Sequence, residues 1–135
     1  MRAVDTNVLV RILVRDDPRQ ARIADDFVAR GAWISHLVLI ETVWVLTAVY
    51  DFAAKPVADA VEALLDHESL TVQDAALVRA ALVRYRSHRG VDFSDCLILE
   101  VAEHAGHGPL GTFDRNLARQ AGVHRLELRE RGAGR

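Results

Sequence analysis

Four carboxylates, Asp5, Glu41, Asp95 and Asp114, are the residues of this chain best spaced to do chemistry. Each stands where a strand-like apolar run hands over to a helix, or in the helix's opening turns. The segments are Ala3-Val4-Asp5-Thr6-Asn7, Ile34-Ser35-His36-Leu37-Val38-Leu39-Ile40-Glu41, Asp92-Phe93-Ser94-Asp95-Cys96 and Leu110-Gly111-Thr112-Phe113-Asp114. In an open parallel sheet such positions converge on the rim outside the carboxyl ends of the strands. Acids gathered on one rim repel each other, and divalent cations relieve that repulsion. Hard oxygen donors without a Cys/His set favour Mg²⁺ or Mn²⁺ over Zn²⁺. Such ions can activate a water and stabilise the leaving oxygen of a phosphodiester. The chain offers no nucleophile elbow, phosphate-binding Walker loop or dinucleotide glycine fingerprint as a competing chemistry.

Each acid also has a purely structural reading. Asp5 and Asp114 could cap the helices that follow them. Asp92 and Asp95 have capping-box-like spacing, and for Asp92 taken singly capping is the favoured reading. Glu41 resists most, because it interrupts the apolar run Leu39-Ile40-Glu41-Thr42-Val43-Trp44. A carboxylate there needs a cation, an arginine partner or an opening to solvent.

The elements that must position these acids follow from pattern. Strands are expected at Arg2–Asp5, Ala32–Ser35, Leu70–Val72, Pro109–Thr112 and His124–Glu127. Helices are expected at Val8–Val14, Pro18–Arg30, Leu37–Tyr50, from Pro56, at Asp74–Arg89, Phe93–Ala105 and Arg115–Ala121. Pro18 suits a first helical position, and Gly31, Gly90, Gly106 and Gly122 suit helix ends. Helical crossovers between short strands indicate an α/β fold with a parallel sheet of about five strands and helices on both faces. A helix as apolar as Leu37–Tyr50 is either buried or forms an interface. Residues 1–128 read as a single domain, and 129–135 as a frayed tail.

The chain has 135 residues, half of them hydrophobic, with a formal net charge of -2. That balance makes the whole molecule no general magnet for nucleic acid. No apolar stretch reaches the roughly 18 residues of a membrane span, and Asp5 arrives before a signal-peptide apolar region could form. The single cysteine, Cys96, rules out an internal disulfide and fits a reducing cytoplasm; its apolar neighbours suggest a buried small hydrophobe. Lys55 is the only lysine. Arg11, Arg15 and Arg115 are candidates for RNA-phosphate contacts, although they could equally pair with Asp16, Asp17 or Asp25. Trp33, Trp44 and Tyr50 lie in apolar runs and are expected in the core or at a dimer contact. His104 and His107 straddle a helix end, where a structural role outweighs a zinc site.

At the acids the chain resembles the PIN-domain nucleases. Asp5-Thr6-Asn7 after an N-terminal strand looks like the opening of that domain. Ile34-Ser35…Glu41, Phe93-Ser94-Asp95-Cys96-Leu97-Ile98 and Thr112-Phe113-Asp114 match its later motifs in order and spacing. The small size resembles the VapC toxins of toxin–antitoxin pairs. The resemblance implies a three-layer α/β/α fold and a catalytic, metal-binding pocket of Asp5, Glu41, Asp95 and Asp114. Asn7 and Thr112 would brace Asp5 and the metal waters, Ser35 would lie near the rim, and Asp92 would be an accessory acid. It further implies Mg²⁺-dependent endonucleolytic cleavage of RNA, with Mn²⁺ as a substitute, a homodimer, and inhibition by a VapB-type antitoxin. Alternatives are a housekeeping RNA-processing nuclease of the same family, an aspartyl phosphatase with Asp5 as nucleophile, and a non-catalytic helix-binding module. The phosphatase reading is weakened by Asn7, which stands where a second aspartate is usual.

Overall fold

The computed structural model describes residues 1–129, so the expected tail lies almost wholly outside the described residues. The chain alternates β1 (Arg2–Ala3), α1 (Thr6–Val14), α2 (Pro18–Val28), β2 (Ala32–Ile34), α3 (His36–Ala48) and α4 (Ala54–Asp66). There follow β3 (Leu70–Val72), α5 (Ala75–Ser87), α6 (Phe93–His104), β4 (Leu110–Thr112), a 3₁₀ turn at Leu117–Arg119 and β5 (Val123–Arg125). Strand and helix thus alternate as the apolar pattern requires, and every strand pair is parallel.

The strands form two separate ladders. One is β1-β2-β3, in the register Arg2↔Ala32 and Ile34↔Val72; the other is β4-β5, with Leu110↔Val123. The expectation of one sheet of about five strands is corrected here: among the described residues no backbone hydrogen bond joins β1 to β4. The cause lies in the brevity of β1, which has two residues and turns its pairing towards β2. Its last bond runs from the Val4 N–H to the Trp33 carbonyl (3.1 Å). The expected helix Arg115–Ala121 contracts to the 3₁₀ turn, because Asp114 and Gln120 close it from both sides. Pro109 has no N–H to give, so the β4 ladder starts at Leu110, whose N–H reaches the Gly122 carbonyl (2.9 Å).

The core lies between the three-stranded sheet and the helices. Ala32 and Ile34 of β2 and Leu70 and Val72 of β3 meet Leu9, Leu39, Val61, Leu64, Val78, Phe93 and Leu97. Cys96 is buried, and burial pushes its thiol pKa up, as befits a packing residue and not a nucleophile. Helix α1 packs on α2 and α3, and α5 on α4 and α6. No helix among the described residues is long and apolar enough to cross a membrane.

Helix α3 buries only Leu39, Thr42 and Leu46. Leu37 (81 % exposed), Trp44 (64 %) and Val49 (62 %) face outwards. Of the two outcomes open to so apolar a helix, the exposed face is the one realised. Of the two readings of Trp44, core or dimer contact, its exposure rules out the core, whereas Trp33 and Tyr50 are half-buried.

Candidate metal-binding site

Asp5 follows β1 directly and is the N-cap of α1, its Oδ1 accepting the Val8 N–H at 3.2 Å. Its capping reading is thus correct, and one carboxylate oxygen is left for other work. Ser35 follows β2 and caps α3 by accepting the Val38 N–H at 3.1 Å. Its neighbour His36 is tied to the end of β3: its N–H donates to Gln73 Oε1 (2.9 Å), and its Nε2 meets the Gln73 carbonyl (2.7 Å). The carboxyl ends of β1, β2 and β3 therefore lie along one rim, as the parallel register demands.

Asp114 follows β4. Its Oδ1 accepts the N–H groups of Asn116 (2.8 Å) and Leu117 (3.1 Å), and its own N–H donates to Thr112 Oγ1 (3.0 Å). Thr112 thus braces Asp114, not Asp5. Asp95 is the third residue of α6 and half-buried. Its carboxyl accepts no hydrogen bond among the described residues. Burial pushes its pKa above the usual carboxylate range, and the charges of Asp92 and Asp114 push it further. Asp92 occupies the N-cap position of α6 but makes no capping bond with its side chain, so the capping reading favoured for it fails. Its charge is spent on Asp95 instead.

Asp92, Asp95 and Asp114 are accordingly brought within electrostatic reach, although they come from two elements far apart in sequence. Asp5 and Glu41 are not among the groups pressing on Asp95. Glu41 is exposed on the second turn of α3 with no ion pair among the described residues. Of the three answers open to its charge, a cation, an arginine or solvent, the fold supplies the opening to solvent. Asn7 is exposed beside Asp5. No three acidic, histidine or cysteine side chains among the described residues form a chelating cluster as they stand. The donors nevertheless fit a hard divalent cation: all are oxygen, and Asp95 is a half-buried acid that its neighbours repel and no donor relieves.

Of the candidate phosphate contacts, Arg11 pairs with Asp16 (3.1 Å), and Arg15 grips both oxygens of Asp25 (3.1 and 2.7 Å). The competing reading therefore describes both, and RNA would have to displace those carboxylates. Arg115 is exposed and carries no ion pair among the described residues. A cleft of about 910 Å³ opens nearby, walled by Ile40, Trp44, Phe52, Tyr85 and Phe93 and reaching Asp92. Asp5, Glu41, Asp95 and Asp114 are not among the residues that line it.

In sequence, Arg84 stands with Arg86 and Arg89 as arginines crowding a helix end that could hold RNA phosphates; the structure instead has Arg84, with Gln120, connecting the acid-bearing elements. Arg84 donates to Glu100, Glu103 and Gln120 at once. The one available signal was the pair Glu100 and Glu103, spaced i, i+3 on the helix after Arg84.

The chain matches the PIN domain over residues 2–123, from β1 to the start of β5, which takes in all four acids. It belongs to the PIN domain family. PIN domains are generally metal-dependent nucleases that use divalent ions, and the nuclease domain implies an RNA substrate. In the same comparisons no curated protein and no solved structure matches the chain significantly.

Proposed function

We propose that the protein is the toxin of a VapBC-type toxin–antitoxin pair, a Mg²⁺-dependent endoribonuclease in which Mn²⁺ can substitute, and that residues 1–128 form one PIN-like domain. The observation that carries the nuclease reading is Asp95, half-buried and pressed by Asp92 and Asp114 with no donor among the described residues to relieve it. Asp5, Asp95 and Asp114 would hold the ion, with Glu41 completing the acidic set. A bound divalent ion supplies an activated water and neutralises charge on the phosphodiester. The chain's own residues orient and hold. Asp5 and Asp114 are pinned by backbone amides and so present their carboxylates in fixed directions, and Thr112 fixes the backbone at Asp114. Ser35 and Asn7 border the rim, Asp92 serves as the accessory acid, and Arg115 is the phosphate contact with the least to give up.

The exposed apolar face of α3 supports protein partners. A homodimer and a VapB-type antitoxin account for it within the toxin reading. The same face is what a housekeeping nuclease or a purely binding module would use on other proteins. Cleavage of RNA by wild type, Asp5→Asn and Asp95→Asn, with Mg²⁺ and with EDTA, tests the chemistry. Loss of cleavage in both variants and in EDTA is expected. Undiminished cleavage by folded variants, or cleavage in EDTA, refutes the mechanism.

A further inference from the structure

We infer that Arg84 is a positioning residue for the acidic site, its guanidinium holding the helix that carries Asp95 and the segment that follows Asp114 in one fixed relation. This rests on the reading of Asp95 and Asp114 as ligands of one divalent ion.

All three guanidinium nitrogens of Arg84 are engaged, and their partners lie on two elements. Nε donates to Glu100 (2.5 Å) and Nη2 to Glu103 (3.0 Å), both on α6 downstream of Asp95. Nη1 donates to Gln120 Oε1 (3.1 Å), at the end of the 3₁₀ turn that Asp114 opens. Gln120 is only 4 % exposed, and its Nε2 has no hydrogen-bond partner among the described residues. Arg84 thus holds the oxygen of this buried amide, while the Cys96 thiol lies beside it. Arg84 and Glu100 are themselves largely shielded from water, at 20 % and 17 % exposure, which stiffens the cluster relative to a surface pair.

A second route leads to Asp114 from the opposite side. Glu103 lies across Gly122, where an added Cβ would overlap its Oε1. The Gly122 carbonyl accepts the Leu110 N–H that starts the β4-β5 ladder, and β4 ends at Thr112, whose hydroxyl accepts the Asp114 N–H. Arg84 thus reaches Asp114 through Gln120 from downstream and through Glu103 and β4 from upstream. Two residues on, Arg86 turns the other way and pairs with Asp59 (3.2 Å) and Glu62 (2.8 Å) on α4. It makes ion pairs of similar number from the same helix but touches neither acid-bearing element.

The experiment compares full-length wild type, Arg84→Gln, Arg84→Lys, Gln120→Met and Arg86→Gln. Mn²⁺ affinity is read by electron paramagnetic resonance, hydrogen exchange over residues 110–120 without metal, and kcat and KM on RNA. Groups that orient metal ligands commonly cost about tenfold or more in metal affinity when removed, and that loss is expected for Arg84→Gln. Exchange over 110–120 should quicken, and kcat should fall further than KM rises. Arg84→Lys keeps the charge but loses the fork, so it should fall between. Gln120→Met removes the acceptor of Arg84 Nη1 along with the amide, so its melting temperature is measured beside that of Arg86→Gln, and Mn²⁺ affinity should weaken in Gln120→Met by more than in Arg86→Gln at an equal fall in melting temperature. Arg86→Gln should leave Mn²⁺ affinity and exchange as in wild type. Wild-type Mn²⁺ affinity and exchange in both Arg84→Lys and Gln120→Met overturn the role of Arg84 alone. Failure of wild type itself to bind Mn²⁺ overturns the metal reading, and the inference with it.

Discussion

Replacing Gly122 by alanine puts two separate strains on one atom. Gly122 sits at φ +83°, in the left-handed region. Holding a residue with a Cβ there costs about 1–2 kcal/mol. The new methyl would also occupy the space of Glu103 Oε1 and stand 3.1 Å from its Cδ. Glu103 is the far end of a flexible side chain, so it swings away; what is lost is its bond to Arg84, a pair whose acid is 34 % exposed. For so solvated a pair the loss is about 1 kcal/mol. Together the two effects amount to about 2 kcal/mol, a drop of about 8 °C in melting temperature at roughly 4 °C per kcal/mol for this size. Thermal melts of a double-mutant cycle separate them. In a Glu103→Ala background the same glycine substitution should cost only the backbone strain, about 1 kcal/mol. Equal losses in both backgrounds, within about 0.5 kcal/mol, would refute the placement of Glu103 across Gly122.

Asp95→Asn should raise the melting temperature of the protein in EDTA at about pH 7, where the raised pKa means that ionised Asp95 opposes folding. The gain should shrink as pH falls through the raised folded pKa and vanish only well below the ordinary aspartate value of about 3.9, at about pH 2, where folded and unfolded states both hold the proton; a gain that does not change with pH contradicts the repulsion. On α3, Leu39→Ala, at a fully buried position, should lose about 2–5 kcal/mol. Trp44→Ala on the same helix should stay within about 0.5 kcal/mol of wild type in urea melts of the monomer, and comparable losses at the two positions would mean that the assigned buried face is wrong.

The alternation of strands and helices was legible because short apolar runs and longer amphipathic ones have different periods, and Pro18 and the glycines at 31, 106 and 122 punctuate them. Placement of the acids next to elements was equally legible, since Asp5, Asp95 and Asp114 stand in first turns or caps. The gap between β1 and β4 was not, because pairing across a sheet leaves no local trace. Nor was the exposure of Glu41: an apolar run does not say which of its faces the sheet will cover, and Leu37 and Trp44 turned out to share the solvent side with it. Arg84 was legible only as one of the arginines crowding a helix end; its linking role was not, because its three acceptors lie 16, 19 and 36 residues downstream, where only the fold brings them to one guanidinium.

The two ladders give the proposed ion a mechanical task beside its chemical one. Asp5 ends a strand of the first ladder and Asp114 a strand of the second, and no amide bridges the seam between β1 and β4. A cation shared by the two carboxylates would be a rivet across that seam, joining halves that the backbone leaves side by side. Breathing of the β4-β5 lobe against the larger sheet would then be fastest when the rivet is out, so that metal occupancy and the stiffness of the seam would rise and fall together.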